Sequence, residues 1–565
     1  MRKGHTEKAN ALAVLISKSI TAQNKKRFRH INSKSGPKSL WSAVRQLTGS
    51  KRVVGPVDGI SAESLNNHYS SISTDPQYSQ PLSKSTCSTS IQPFATEWAI
   101  FRILDQLHQT STGLDSIPAW FLRLAAPAFC EPITYLFNIS ISQSFVPSQW
   151  KSAWISPVPK VSTPKLLVDF RPISITSILS RIMERLVVRH YVYPAFLSDH
   201  PASLTFSDQY AFRPTGSTTA ALIWIFHSIT QLLSQHEYVI VIGLDFSKAF
   251  DTVRHCALLN KFALLDLPDN VYNWLVEFFR GHSHCTRYAG QTSDLVDISA
   301  SIVQGSAIGP ASYVVHASDL KSVTPGNRMC KYADDTYLII PASNCHSRHA
   351  ELDQIELWAR HNNLKLNRSK CVEIIFTQPR RHRPIHPPSC LPGINRVSSI
   401  KILGVIITNK LSVSDHISNV ISTCAQSIHA LRTLRTQGMD SELLQTVYRA
   451  VIIAKLLYGS SAWWGFSSAD DRRRLDAFIH RAQRSGFYPA DQPTIAELVS
   501  NADDSLFHTI RYSPDHVLRP LLPEQNNYSY NLRNRTHNFN LSSQHDSRNF
   551  IDRVLYSNYS VSQSF

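Results

Sequence analysis

The amino-acid sequence predicts an α+β fold in which an antiparallel sheet is backed by helices. Three observations carry that expectation. YVIVIGL at 238–244 is a short apolar run whose β-branched content favours a buried strand over a helix. MCKYADDTYLII at 329–340 has apolar residues on both sides of a small polar centre, which reads as a hairpin with Ala333, Asp334 and Asp335 at its turn. Around these runs, residues 150–345 alternate strand and helix signals most densely, whereas 413–485 read as mostly helical.

The remaining elements follow in chain order. Residues 1–50 read as helical and basic, with Lys25, Lys26, Arg27 and Arg29 clustered. Residues 70–92, rich in Ser, Thr, Pro and Gln, read as a linker. Amphipathic helical patterns run from Thr96 to about Val146, punctuated by Pro118, Pro127 and Pro132. Residues 348–363 form a helix with Leu352, Ile355 and Ala359 on one face. KCVEIIF (370–376) and IKILGVII (400–407) are two further strands, separated by a basic, proline-stiffened loop. Leu443, Leu444, Val447 and Val451 mark a helical face, and beyond about residue 523 the Asn/Ser-rich chain reads as loosely ordered. The expected division is 1–95, a basic helical segment and linker; 96–149, helical; 150–408, the mixed sheet region; 409–490, helical; and 491–565, a tail.

Composition narrows the function. At 565 residues and 42% hydrophobic, the chain builds several cores. Its 58 Lys and Arg against 41 Asp and Glu give +17, which favours a polyanionic partner because each neutralised phosphate releases condensed counterions. The nine cysteines include no C-x-x-C pair, which argues against a zinc ribbon and fits a reducing compartment. The basic N-terminus lacks a convincing cleavage site, and no run of about 18 apolar residues occurs. The expected location is intracellular, in nucleus or cytoplasm, with no membrane partner.

An Asp-Asp pair at a turn is ordinarily only a solvated turn. Here it sits between apolar strand residues of a basic chain, with Asp245 ending another strand upstream. Adjacent strands lie about 4.8 Å apart, so neighbouring placement would crowd three carboxylates. Bare carboxylates that close raise one another's pKa, and a divalent cation relieves the repulsion. Mg2+ prefers such hard oxygen ligands.

The motifs around these residues resemble, block after block and in order, the polymerase region of LINE-type (non-LTR, jockey-like) reverse transcriptases. WKSAWISPVPK (150–160) and DFRPISI (169–175) are similar to the fingers motifs, and QYAFRPTGSTTAAL (209–222) to the next block. GLDFSKAFDTV (243–253) resembles the first catalytic motif, QGSAIGP (304–310) the template-positioning motif, and KYADDTYLII (331–340) the Y-A-D-D box. LKLNRSKC (364–371) and KILGVII (401–407) resemble the last palm motifs. The resemblance implies a right-hand polymerase of fingers, palm and thumb, with an antiparallel palm sheet and a helical thumb. It implies an RNA-directed DNA polymerase acting on an RNA template, a DNA primer or target, and dNTPs. Two Mg2+ ions, replaceable by Mn2+, would serve the reaction.

The resemblance also assigns roles. Asp245 and Asp334 are the implied principal metal ligands, Asp335 the third carboxylate, and the Phe246 carbonyl completes a shell. Asp251 is read as structural or capping rather than a ligand. Phe250 matches the aromatic gate that excludes a ribose 2′-hydroxyl; read alone, it is an ordinary core residue. Lys160 and Arg171 match residues that hold the incoming triphosphate. Gln304 and Gly305 match the motif along the templating base, where glycine permits close approach. Lys370 matches a lysine that protonates the leaving pyrophosphate. Arg380, Arg381 and Arg383, and separately Arg472, Arg473 and Arg474, are candidate template or primer contacts, although charge runs are ordinarily solvated faces. Pro214 and Thr215 depart from the family pattern before Gly-Ser-Thr.

The stretch before the motifs shows no endonuclease constellation, and the expectation is a polymerase lacking that domain and RNase H. Other readings stay open at this point: an inactive retroelement-derived RNA-binding protein, a template-dependent RNA polymerase, or a basic scaffold.

Overall fold

The computed structural model describes residues 2–28, 57–85, 94–378, 386–525, 537–541 and 546–560. Its strands are β1 (Ser152–Pro159), β2 (Phe170–Ile175), β3 (Tyr238–Leu244), β4 (Phe246–Ser247), β5 (His282–Tyr288), β6 (Gln291–Thr292) and β7 (Val296–Ile298). They continue as β8 (Arg328–Tyr332), β9 (Asp335–Pro341), β10 (Lys365–Leu366), β11 (Val372–Thr377), β12 (Asn395–Val397), β13 (Ser399–Ile402) and β14 (Val405–Thr408).

The central sheet has the order β12-β11-β3-β9-β8. Every pairing in it is antiparallel except β11 with β12. β3 is almost wholly buried because helices cover both faces of the sheet. Successive strand side chains point to opposite faces, so Tyr238, Ile240, Ile242 and Leu244 join one core with Leu338 and Ile340. Leu352 and Ile355 of the helix Arg348–His361 close that side. Val239 and Val241 join the other core with Ile339, Ile374 and Phe376, against Ile225, Phe226 and Ile229 of the helix Thr218–Gln235. Each fully buried Val, Ile or Leu stabilises the fold by about 1.5–3 kcal/mol. The α+β arrangement read from the sequence is the one observed.

A second sheet, β2-β1-β5-β6 with β7 on β5, holds the segments matching the fingers motifs. β1 runs antiparallel to β2 and parallel to β5. The helix Ala62–Ile72 caps this sheet, burying Leu65 and Tyr69 against Ile155 and Phe170. Its Asn66 Oδ1 lies 2.9 Å from both His284 Nδ1 and Thr286 Oγ1.

Three expectations change. IKILGVII is not one strand but a hairpin: β13 pairs antiparallel with β14, from Ser399 against Thr408 to Ile402 against Val405, because Leu403 and Gly404, both at positive φ, reverse the chain between them. Residues 70–85 are not a free linker. Ser73 O accepts from the N–H groups of Ser299 and Ala300, both at 3.1 Å. The buried Asp75 carboxylate pairs with Arg254 at 2.9 Å, and Lys84 N–H donates to Asn273 at 2.8 Å. The rest of the expected linker, 86–92, lies outside the described residues. Its composition carries no periodicity, because these anchors are single polar contacts to distant residues.

The C-terminal tail is likewise docked where it is described. Phe550, Ile551, Val554 and Leu555 of the helix Phe550–Ser560 are buried, and Arg553 pairs with Asp503 at 2.8 Å. Four apolar residues at helical spacing suffice for this, diluted in the sequence by Asn and Ser. The helices Ser414–Thr436, Ser441–Tyr448, Ala469–Arg484 and Ile495–Tyr512 share the same core. Among the described residues, no helix is long and apolar enough to cross a membrane.

Candidate active site

The register of β3 against β9 assembles the carboxylates. Ile242 pairs with Leu338 and Leu244 with Thr336, so Asp245 emerges beside the start of β9. There Asp335 pairs with Tyr332 across a two-residue turn of Ala333 and Asp334. Ala333 takes φ +56°, a left-handed conformation that an alanine adopts only when its surroundings hold it. Here the holding group is Gln209, whose Oε1 accepts from the N–H groups of Ala333 and Ala211, both at 3.1 Å. The segment 208–210 also bonds along β8: Lys331 N–H donates to Asp208 O at 2.7 Å, and Tyr210 N–H to Lys331 O at 2.8 Å. The Lys331 ammonium is fully buried and satisfied by Asp208 at 3.0 Å and by the carbonyls of Ala317 and Leu320. The block around QYAF thus braces the turn.

Asp245 is held from the other side. Its carbonyl accepts from Asn367 N–H at 2.8 Å, its N–H donates to Cys371 Sγ at 3.4 Å, and β4 pairs with β10. Its carboxylate is half-exposed, 4.0 Å from the Lys370 ammonium, which is itself exposed. Phe246 is buried with its ring against Trp358.

Burial raises the pKa of Asp334, and the neighbouring Asp245 charge adds to it while Arg171 opposes. Asp335 is pushed up to about 6 by burial and then by the charges of Asp334 and Asp245. Asp334 and Asp335 therefore both feel the Asp245 charge. Among the described residues, no three His, Cys, Asp or Glu side chains are gathered closely enough to hold a metal ion as they stand. In donor chemistry the set fits a hard divalent cation: three carboxylates whose mutual repulsion such an ion would relieve, with no sulfur or imidazole required.

Lys160 and Arg171 stand on or beside the β1–β2 ladder, and Gln304 is bonded to β2 and to Asp251. Phe250 stacks on Tyr313 with centroids 4.3 Å apart and meets Phe212 edge-on at 6.5 Å. Its carbonyl accepts from Ile302 N–H at 2.8 Å, which fixes the backbone carrying the ring. Arg171 pairs with Val158 across the β1–β2 ladder and projects into solvent. Lys160 donates from Nζ to Val168 O at 2.9 Å. Burial holds its ammonium below the usual range; Arg171 and Lys248 press the same way, and Asp251 opposes them.

Gln304 O accepts from Ser174 N–H at 2.8 Å, joining the QGSAIGP loop to β2. Gly305 has φ +119°, and a Cβ there would lie 2.2 Å from Ser174 O. The glycine is required by a close approach, as its motif suggests, and the approaching backbone is this chain's own.

Two residues gain roles here. Asp251 accepts from Gln304 Nε2 at 2.7 Å, and burial pushes its carboxyl up to about 6. The bond is a structural one, within the structural or capping role read for Asp251. Glu184 was not singled out by the motifs. It is fully buried and accepts from Ser180 Oγ at 2.8 Å, from Ala307 N–H at 2.6 Å, from Ile308 N–H at 3.1 Å, and from Ser306 Oγ. The signal was present: Glu184 stands among Ile182, Met183, Leu186 and Val187 on a helix whose apolar face leaves it no water.

The charge runs fare differently. Arg380, Arg381 and Arg383 lie outside the described residues. Arg472 stacks over Trp464 at 5.1 Å and donates to Ser467 Oγ at 3.0 Å. Arg474 bonds Ser418 Oγ at 2.9 Å and pairs with Asp471 at 3.4 Å, whereas Arg473 is exposed and pairs with Asp470 at 2.9 Å. Thr215 takes φ +64°, and its hydroxyl accepts from Val517 N–H at 3.1 Å, so the departure at 214–215 is tied to the C-terminal region.

Comparison with known proteins agrees with the motifs. Residues 158–407 match the family described as reverse transcriptase (RNA-dependent DNA polymerase). A probable RNA-directed DNA polymerase from transposon BS of Drosophila melanogaster is 26% identical over 419 residues, covering 70% of this chain and 45% of that protein. The RNA-directed DNA polymerase from mobile element jockey of the same organism is 26% identical over 368 residues, covering 61% and 39%. The chain thus spans less than half the length of these curated relatives. Among solved structures, telomerase from Candida tropicalis aligns over 66% of this chain and 64% of that one, at 12% identity and a TM-score of 0.37.

Proposed function

We propose that this chain, whose residues 158–407 carry a reverse transcriptase domain, is an RNA-directed DNA polymerase of a non-LTR retrotransposon. The observation that carries the reading is the β3–β9 register, which sets Asp245 beside Asp334 and Asp335 between strands anchored in two cores. The reaction adds dNTPs to a DNA 3′-end along an RNA template. The primer 3′-oxygen attacks the α-phosphorus, and pyrophosphate leaves.

Asp245, Asp334, Asp335 and the Phe246 carbonyl are the groups that would hold two Mg2+ ions. When bound, such ions lower the pKa of the attacking hydroxyl and neutralise charge on the leaving group. The chain's own residues supply the rest. Arg171 and Lys160 hold the triphosphate, the guanidinium in bidentate fashion and the ammonium as a point charge. Phe250, backed by Tyr313, leaves no room for a 2′-hydroxyl. Gln304, fixed by Asp251, lies along the nascent pair. Lys370 delivers a proton to pyrophosphate. The site of action is intracellular, where template RNA and chromosomal DNA are found.

Primer extension on poly(rA)/oligo(dT) with Mg2+ or Mn2+ tests the proposal. Wild type should incorporate dTTP and Asp334→Ala should not. Absence of incorporation by folded wild type, or undiminished incorporation by the variant, would overturn it. Salt-sensitive RNA binding without incorporation would favour a binding-only relic.

A further inference from the structure

The helix Ala62–Ile72 is pinned where it meets the chain leading to Gln304. Ser73 O, just past the helix end, accepts from Ser299 and Ala300 N–H, both at 3.1 Å. Beside this contact lies a cavity of about 30 Å3, lined by Tyr69 of the helix, His284 of β5, and the Asp251–Gln304 pair.

Among the described residues, two buried atoms of that lining have no hydrogen-bond partner: Tyr69 Oη and His284 Nε2. Buried polar atoms left in that state are rare. The two are complementary. The Asn66 amide donates from Nδ2 to Asp294 O at 3.0 Å, so its Oδ1 is the acceptor and His284 Nδ1, 2.9 Å away, carries the proton toward it. Burial holds His284 down to about 4, so the ring is neutral near pH 7 and Nε2 offers a lone pair. Tyr69 offers a proton. Burial raises its pKa and the Asp251 charge adds to it, so the phenol stays protonated and stands within electrostatic reach of that carboxylate. Asp251 receives Gln304 Nε2 on Oδ1 at 2.7 Å, which leaves Oδ2 for a further donor.

One ordered water takes about 10–15 Å3 and about two to four polar partners, so this cavity has both the room and the lining for it. A water that accepts from Tyr69 and donates to His284 and to Asp251 satisfies all three groups at once. We infer that Tyr69 is a positioning residue for nucleotide incorporation: with His284 it holds the Asp251 carboxylate through ordered water, and Asp251 in turn holds Gln304. The inference rests on the polymerase reading, in which Gln304 lies along the nascent pair. It brings into that site a helix that precedes the family match at 158–407.

Tyr69→Phe removes the hydroxyl and keeps the ring that packs with Ile155 and Phe170, so the fold is retained. Steady-state kinetics on poly(rA)/oligo(dT) compare wild type, Tyr69→Phe, Asp251→Ala and the double variant. Tyr69→Phe should raise KM for dTTP about threefold, with kcat unchanged within about twofold. Asp251→Ala should raise KM about tenfold, and the double variant about tenfold rather than about thirtyfold, because the hydroxyl then has no carboxylate to hold. Urea denaturation of the same four proteins reads the link without catalysis. The midpoint shift of the double variant should be smaller than the sum of the two single shifts. An unchanged KM in Tyr69→Phe, a KM raised about thirtyfold in the double variant, or additive midpoint shifts would overturn the inference. If folded wild type incorporates nothing, the polymerase reading falls and the urea cycle alone decides the link: shifts smaller than additive keep it, and additive shifts remove it.

Discussion

The amide of Gln304 donates to the Asp251 carboxylate at 2.7 Å, and this one bond ties the loop at 304–310 to the block that carries Asp245. A buried acceptor removed from a hydrogen bond typically costs about 1–3 kcal/mol. Asp251→Ala should therefore free Gln304 and raise KM for dNTP roughly tenfold, with a smaller loss in kcat. Asp251→Asn, which retains an acceptor oxygen, should recover most of the KM. Steady-state kinetics on a homopolymer template would contradict this if kcat alone changed.

Stability should depend on pH through the same group. Burial raises the Asp251 carboxyl from its ordinary value of 3.8 to about 6, so the folded chain holds this proton more tightly than the unfolded one. The associated stability is fully present below about pH 4 and is lost as pH rises through about 6. Chemical denaturation in metal-free buffer should show wild type losing on the order of 1–3 kcal/mol more than Asp251→Asn across that window. Parallel pH profiles for the two proteins would refute the assignment.

Gly305 allows no side chain. Its φ of +119° and the 2.2 Å approach of Ser174 O to a built Cβ leave the loop nowhere to go. Gly305→Ala should destabilise the protein by about 1–3 kcal/mol or detach the loop from β2, raising KM for dNTP. Urea midpoints and kinetics that both match wild type would show the contact to be dispensable.

Phe250 is braced by Tyr313 at 4.3 Å, so its ring is not free to retreat. Phe250→Val should relax discrimination against ribonucleotides by about 10-fold or more, because the contact excluding one hydroxyl is removed. The ratio of kcat/KM for dNTP and rNTP measures this, and an unchanged ratio would return Phe250 to the status of a core residue.

Glu184 carries four donors without contact with water. Glu184→Leu leaves the Ala307 N–H without its acceptor and the Ile308 N–H with only Ser306 Oγ at 3.3 Å, and should cost about 1–3 kcal/mol. Thermal unfolding gives the readout. A melting temperature equal to wild type would mean that the loop has another anchor.

The sequence by itself indicated β3, the hairpin of β8 and β9 and the helix over 348–363, and it set Asp245 at the end of the first and Asp334 and Asp335 at the turn of the second. Each is written locally: the apolar run of 238–244, the paired apolar flanks of Ala333-Asp334-Asp335, and the helix whose Leu352, Ile355 and Ala359 share a buried face. Tertiary structure alone decided what fastens these pieces together. The Asp75–Arg254 pair, the Gln209 amide under Ala333, the Glu184 carboxylate under Ser306 and the docked helix of Phe550 and Val554 each join positions far apart in the chain. A periodicity records which face of an element avoids water. A buried polar contact is set by one partner at one distance, and no local pattern encodes where the chain will bring that partner.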